Sequence, residues 1–242
     1  MWGSSVVGAI VSLASTSLGG LLYSVRSKKN HSRLEWLGSD FAIGAMLAAS
    51  LFSLIGIPLY HHIQKGETSF AHLILFGSLI GFASSGLLKR TLGLVSRFSQ
   101  QQVSQFLFIG VLTFHNLPEG MASGVADFTG ENGLLAVIAL QNVPEGFLFA
   151  AMLVALGVKS RVALIGALGS GVIEATGALS ASVIITHDPA WLPFLKGFAG
   201  GAMLYVTVSE LGSKLMSKTE VTFAAKPFFT GIAATLALQL LG

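Results

Sequence analysis

The chain contains no cysteine and few charged residues, and each shortage excludes a class of protein. Without cysteine there are no disulfides and no thiolate metal sites. Only 10% of the 242 residues are charged, whereas a soluble domain carries about a quarter. With 52% hydrophobic residues and a mean hydropathy of +0.75, the chain cannot cover a soluble surface. The composition therefore predicts a membrane protein.

Features of several other classes are also missing from the sequence. No positively charged region precedes the first apolar segment, so no cleavable signal is expected. The basic residues, which raise the pI to about 9.3, lie in short gaps between apolar runs. That pattern indicates membrane topology rather than nucleic-acid binding. No linker separates the runs, and residues 1–242 are predicted to form a single transmembrane domain.

Eight apolar runs are long enough to cross a bilayer, which takes about 17–25 helical residues. They are too long and too uniformly apolar for the alternating strands of a membrane β-barrel. We therefore predict an all-α membrane protein with eight transmembrane helices. The predicted helices cover residues 4–25, 41–60, 70–88, 102–126, 134–157, 162–185, 191–212 and 224–242.

The distribution of lysine and arginine predicts how these helices are oriented. Twelve of the 14 basic residues lie in or beside the odd-numbered gaps, and only Lys65 and Lys196 fall on the other side. Basic residues concentrate in cytoplasmic loops, so the odd-numbered loops are predicted to be cytoplasmic. Eight helices then leave both termini outside.

Acidic side chains fall in the middle of three successive predicted helices, the fourth, fifth and sixth. Glu119, Glu145 and Glu174 each lie near the bilayer midplane, where an acidic residue costs about 2.5–3.5 kcal/mol. Three unpaired carboxylates would cost about 10 kcal/mol, comparable with the stability of a whole protein. No lysine or arginine lies at a matching depth. The carboxylates must therefore be neutralised in another way. Either they are protonated, which burial favours, or they bind a cation.

The spacing of polar residues around two of these glutamates favours a bound metal. The stretch FHNLPEGMASG at 114–124 nearly repeats as LQNVPEGFLFA at 140–150. In the first copy His115 and Glu119 lie about 40° apart on a helix, with Asn116 about 100° from His115. Imidazole nitrogen, carboxylate oxygen and amide oxygen suit zinc, iron(II), manganese or cobalt. The second copy supplies the equivalent side chains Gln141, Asn142 and Glu145.

Prolines and small residues shape the surroundings of this predicted site. Pro118 and Pro144 each free the carbonyl four residues earlier, and such broken helices are tolerated where they line a polar cavity. Gly120 and Gly146 are expected to let the fourth and fifth helices approach closely. Glu174 projects from a face of small residues, which predicts that it meets those two helices. The small residues of that face are Ala167, Ser170, Gly171, Ala178 and Ala181.

The motifs HNLPEG in the fourth helix and QNVPEG in the fifth resemble the signature of the ZIP (Zrt/Irt-like protein) metal transporters. The GufA-like bacterial branch is the most similar, and GAMLAASLFSLIGIP in the second helix and AGGAMLYVTVSELGSK in the seventh extend the likeness. The resemblance implies import of a divalent metal through the inner membrane by alternating access. Zinc is the foremost candidate, with iron, manganese, cobalt or cadmium as alternatives. Helices one, four, five and six would move as a unit.

The resemblance also implies two metal positions bridged by Glu119 and Glu145. Asn142 stands where some relatives have aspartate, and the lost charge should weaken the second position or leave it structural or proton-linked. The first position would be formed by His115, Glu119, Gln141 and Glu145. The second would be formed by Asn116, Glu119, Asn142, Glu145 and Glu174.

Residues outside the midplane have competing interpretations. The resemblance places Met46 and Ser53 on the outer route, although a membrane methionine more often packs against lipid or protein. Glu210 is expected near the cytoplasmic mouth, either passing metal to the exit or pairing with Lys214. Histidines of the predicted outer loop between helices two and three either capture metal or are incidental. Those histidines are His61, His62 and His72.

Other functions remain open at this stage. Histidine and carboxylates inside a membrane would also suit a metal-dependent hydrolase, but HNLPE is not the His-Glu-x-x-His zinc motif. The resemblance implies a transporter with no organic cofactor, not an enzyme. Its expected partners are membrane lipid and metal ions, and a homodimer stays open. An exporter could use the same site. Protons are predicted to compete with metal for the carboxylates.

Overall fold

The computed structural model describes residues 6–25, 31–94, 116–155, 157–216 and 224–241, and these ranges contain helices and no strand. A π-helix, Ala49–Gly56, joins α2 to α3 without a break, so residues 31–64 form one helical span. A helix therefore occupies the described part of each of the eight predicted segments; residues 102–115 of the fourth lie outside the described ranges. The α-helices are α1 (Val7–Val25), α2 (His31–Ala48), α3 (Ile57–Gln64), α4 (Thr68–Leu94), α5 (116–129), α6 (Asn132–Ala155), α7 (Ser160–His187), α8 (Leu192–Met216) and α9 (Ala225–Leu241).

Several of these helices are long and apolar enough to cross a membrane. Five qualify by length and composition among the described residues, and α9 is a shorter apolar helix. The α8 helix is not among the five, and it carries Lys196, Glu210 and Lys214. These helices support a multi-pass membrane protein. The five spans are Val7–Val25, Gly38–Gln64, Thr68–Thr91, Asn132–Ala155 and Ser160–His187.

The helices pack in close pairs along glycine-containing faces. The largest contacts join α4 to α8, α1 to both α6 and α7, and α2 to α9. In each pair at least one glycine lies directly against the backbone or a side chain of its partner. Small residues allow such close approach, which supplies packing where lipid provides no hydrophobic driving force. The α6 helix also contacts α2 and α9, so it links the α1–α6–α7 contacts to the α2–α9 pair.

The π-helix distorts the second span beside a buried hydroxyl. The Ile57 N–H bonds to the carbonyl of Phe52, five residues earlier. Pro58 follows in the first turn of α3 and has no N–H to donate, which favours a widened turn. Ser53 lies within this turn and is buried. Single π-helical turns occur frequently at functional sites.

Two ion pairs tie the ends of α8 to other parts of the bundle. Near its start, Lys196 pairs with Glu131, which lies between α5 and α6. Near its end, the Lys214 ammonium lies 2.6 Å from Asp40 Oδ1 on α2. Asp40 is fully buried, and its second oxygen accepts the Ala224 N–H at 2.8 Å. Asp40 was not predicted from the sequence as a partner of Lys214.

Candidate metal site

The predicted site residues of α5, α6 and α7 lie inside the bundle. Glu119 and Glu174 have no exposed surface, and the amide side chains beside them are equally enclosed. Glu145, one turn beyond Gln141, is partly buried. Because a buried carboxylate needs hydrogen bonds or a cation, the contacts of these glutamates decide what the site can do.

Glu174 is the point at which four helices converge. Its Oε1 accepts hydrogen bonds from Thr16 Oγ1 of α1 at 2.7 Å and from Asn116 Nδ2 of α5 at 2.9 Å. Its Oε2 accepts a hydrogen bond from Asn142 Nδ2 of α6. The α7 carboxylate is therefore hydrogen bonded to α1, α5 and α6.

A second group of contacts joins α5 directly to α6. Gln141 Nε2 donates to Glu119 Oε1. Both Glu119 and Glu145 interact electrostatically with Glu174. The Glu119 and Glu145 carboxylates are thus both close enough to Glu174 for their charges to act on it.

The amide groups at the site all direct their nitrogens to acceptors. Two of the corresponding oxygens, Gln141 Oε1 and Asn142 Oδ1, are buried and accept no hydrogen bond from any described residue. A buried polar atom without a partner costs about 1–3 kcal/mol. Amide and carboxylate oxygens together are suitable ligands for a divalent cation. The chemistry of these side chains therefore fits a metal ion.

The acidic residues alone do not form a ligand set. Within the described ranges, no group of three or more histidine, aspartate or glutamate side chains could hold a metal. Asn116, Gln141 and Asn142 lie between the glutamates, so any metal held here also needs amide ligands. His115 lies outside the described residues, and its role as a ligand stays a prediction.

The glycines of the two motifs make different contacts from those expected. A Cβ on Gly120 would overlap the Glu174 carbonyl of α7, and one on Gly146 would overlap the Thr16 carbonyl of α1. The expectation that these glycines bring the fourth and fifth helices together was therefore wrong. Gly120 lies on the face of α5 that packs against α7, and Gly146 lies on the face of α6 that packs against α1. The two glycines therefore allow close approach of these helix pairs.

Two hydroxyl residues at the site were missed as functional candidates. Thr16 lies in an apolar helix that carries no acidic residue, and its hydroxyl is buried against Glu174. Ser170 Oγ accepts a hydrogen bond from Asn116 Nδ2. Ser170 precedes Glu174 by one helical turn, so a search for polar neighbours on that face would have found it. The sequence of α1 contains no pattern that predicts a contact between Thr16 and α7.

The remaining predicted residues lie on other helices. Met46 and Ser53 are both buried in the second span, and Ser53 lines a separate cavity. Glu210 is exposed near the end of α8. Its neighbour Ser209 hydrogen bonds with Lys89 of α4. These positions are consistent with sites along a route, and that role stays a prediction.

Comparisons with known proteins identify relatives of the chain. The family model described as ZIP zinc transporter matches residues 84–240, more than half of the sequence. Zinc transporter ZIPB of Bordetella bronchiseptica is 31% identical over 251 residues, covering 98% of this chain and 81% of that protein. Zinc transporter GufA of Myxococcus xanthus is 40% identical over 112 residues, covering 45% of this chain and 44% of that protein.

A more distant relative comes from Arabidopsis thaliana and is provisionally named a zinc transporter. It is 26% identical over 221 residues, covering 86% of this chain and 34% of that protein. The chain thus spans about a third of the Arabidopsis protein and less than half of the Myxococcus one, but most of the Bordetella one. The family match and the Bordetella relative together show that the chain belongs to the ZIP zinc transporter family.

Proposed function

We propose that this chain carries divalent transition-metal ions, zinc foremost, across the inner membrane into the cytoplasm. The path runs through a midplane site between α5, α6 and α7. The observation that supports it most is the pair of fully buried carboxylates, Glu119 and Glu174. Each is hydrogen bonded by an amide whose own oxygen has no hydrogen-bond partner among the described residues. The relatives named as zinc transporters support zinc as the substrate.

The ZIP family is a family of transporters, so the chain is not an enzyme and the hydrolase alternative loses its support. The direction of transport is part of the proposal. It rests on the predicted orientation, in which the basic residues mark the cytoplasmic loops. The α3–α4 and α5–α6 turns then lie on the outer side, and α8 ends on the inner side.

The first metal position uses Glu119, Glu145 and Gln141, with His115 as the nitrogen ligand. The Gln141 amide nitrogen now faces Glu119. For its oxygen to reach a metal held by that carboxylate, the amide must turn and give up its hydrogen bond. Gln141 thereby exchanges one bond to Glu119 for one bond to the metal. When the metal leaves, the reverse turn hydrogen bonds the carboxylate again, which limits the cost of an unpaired buried charge.

The second position is weaker in this proposal. Glu174 already accepts hydrogen bonds from Thr16, Asn116 and Asn142. A metal there would have to displace some of these donors, and Asn142 brings no negative charge to help. We therefore assign the second position a structural or proton-linked role.

Alternating access requires two groups of helices that shift relative to each other. The first group is α1, α5, α6 and α7, which are in contact with one another through Gly8, Gly120 and Gly146. The second group holds α4 against α8 and α2 against α9. Between them lies an apolar cluster that includes Ala122, Ile138 and Met203. The Lys196–Glu131 pair also crosses this boundary, so it must break or stretch when the groups shift, whereas the apolar contacts can slide.

Reconstitution into proteoliposomes tests the proposal. Zinc, iron(II), manganese, cobalt and cadmium are offered separately to purified protein in vesicles with a metal-sensitive dye inside. We expect saturable uptake of zinc above that of protein-free vesicles. Folded protein that binds zinc in detergent but moves none of the metals would contradict transport by this chain alone.

Proton competition provides a second measurement on the same vesicles. Protons and zinc bind the same carboxylates, so acidic pH should raise the zinc concentration that gives half-maximal uptake. Uptake at sub-saturating zinc is therefore expected to increase from acidic to neutral pH. At saturating zinc the rates should converge, which separates competition from acid inactivation. Uptake that is independent of pH at low zinc would show that protons do not compete.

A further inference from the structure

A cavity of about 380 Å³, lined by both polar and apolar side chains, opens at the end of the bundle that carries the α3–α4 and α5–α6 turns. It lies between α3, the α5–α6 turn, the start of α8 and the end of α9. This position places it on the outer side in the proposed orientation. The side chains that line it include those of Ser53, His61, His62, Glu131, Lys196 and Gln239.

His62 is held in a defined orientation at this cavity. Its Nδ1 lies 2.7 Å from Glu67 Oε2, and its side chain is 25% exposed. When Nδ1 carries the proton donated to the carboxylate, Nε2 keeps the lone pair that binds a metal. Histidines that bind metals commonly have such a carboxylate on the other ring nitrogen, because it fixes the ring and raises its basicity.

The cavity also contains oxygen atoms that hydrogen bonding leaves unused. Ser53 Oγ, from a side chain 2% exposed, and Gln239 Oε1 are buried and have no partner among the described residues. The Glu131 carboxylate is held by the Lys196 ammonium across the same cavity. The ammonium pairs with Oε1, and because the Glu131 side chain is 35% exposed, a divalent cation in the cavity can reach Oε2 without displacing the lysine.

We propose that His62, positioned by Glu67, captures the incoming divalent metal at this cavity, with Glu131 and the more deeply buried Ser53 as oxygen ligands. This inference rests on the proposed transport function and adds its entry site. The imidazole nitrogen favours zinc and similar borderline metals over calcium or magnesium. The metal keeps some of its water here, since the cavity is large enough for several water molecules.

The captured metal is separated from the buried glutamates by apolar side chains. Leu134 lines the cavity and also belongs to the apolar cluster with Val137 and Ile138. Gln141 follows Leu134 by seven residues, about 10 Å along α6. The cavity is thus a site distinct from the midplane site, and metal passes inward only when the cluster opens.

Zinc binding to purified full-length protein tests the capture site without relying on transport. A Glu119→Gln, Glu145→Gln background removes the two carboxylates that the proposed midplane positions share. We expect zinc binding to remain, measured by competition with a chelating dye. Adding His62→Ala should abolish it, and adding Glu67→Gln should weaken it by about 10–100-fold. The matched control is His72→Ala, because His72 is exposed on α4 and does not line the cavity.

Uptake by the otherwise unchanged chain gives the second readout. His62→Ala should raise the half-saturating zinc concentration more than it changes the maximum rate, whereas His72→Ala should match wild type. Equal behaviour of the two histidine variants in both assays would overturn the capture site and leave the transport proposal intact. Binding that depends on His62, with no uptake by wild type, would overturn the transport proposal instead. Because the His62 side chain is partly exposed, we expect His62→Ala to fold normally. Gel filtration of the purified variant checks this.

Discussion

Replacing Glu119 with glutamine should lower zinc uptake at sub-saturating zinc by more than about a hundredfold. Glu119 is fully buried and accepts a hydrogen bond from Gln141, and the proposal assigns it to the first metal position. The substitution keeps the size of the side chain and removes its charge. Loss of a residue that merely supports a metal ligand costs about 10–100-fold, and loss of a ligand should cost more. Initial uptake rates in proteoliposomes measure the effect.

An exposed acidic residue provides the matched control for this loss of charge. Asp188 is exposed and lies in the turn before α8, and its carboxylate accepts a local hydrogen bond from the Ala190 N–H. Asp188→Asn should therefore transport like wild type. The thermal stability of Glu119→Gln should not fall, because the variant removes a buried charge and keeps an oxygen that accepts from Gln141. Near-normal uptake by Glu119→Gln would remove Glu119 from the metal path.

The helices and the composition of the site could be predicted because they depend on local patterns. Apolar runs of membrane length mark each of the eight segments, and the observed boundaries differ from the predicted ones by a few residues in most of them. The second span differs most, beginning at His31 rather than residue 41, and α4 continues to Leu94 rather than residue 88. Helical periodicity puts Gln141 and Glu145 on one face, and Glu174 on the small-residue face of α7. Burial of these residues follows from their depth in the runs.

The partners of these faces could not be predicted, because helical periodicity shows which residues share a face but not which helix covers it. Thr16 reaches Glu174 across 158 residues of sequence, and Gly120 meets α7 rather than α6. The Asp40–Lys214 pair likewise joins residues far apart in the chain. The π-helix was also not predicted. Pro58, which has no N–H to donate to the backbone hydrogen bonds of the helix, was the available signal.

Gly120→Ala is expected to damage both folding and transport. A Cβ at this position would overlap the carbonyl oxygen of Glu174 and lie 2.7 Å from its Cα. Backbone atoms cannot turn aside as a side chain can, so α5 and α7 must move apart. The shift would break the 2.9 Å hydrogen bond from Asn116 to Glu174. We expect a loss of about 1–3 kcal/mol in stability, typical of overpacking, and at least a tenfold loss of uptake.

Gly169→Ala separates this effect from the general consequence of replacing a glycine in a membrane helix. Gly169 lies in α7, five residues before Glu174, and a Cβ there would meet no atom within 4 Å. Alanine also favours helix over glycine by about 1 kcal/mol, so the thermal unfolding temperature of this control should be unchanged or higher. Equal stability and uptake in the two variants would mean that α5 and α7 are not held in contact at Gly120. The hydrogen bonds around Glu174 depend on that contact, so the proposed second metal position would then have to be rebuilt from a different helix arrangement.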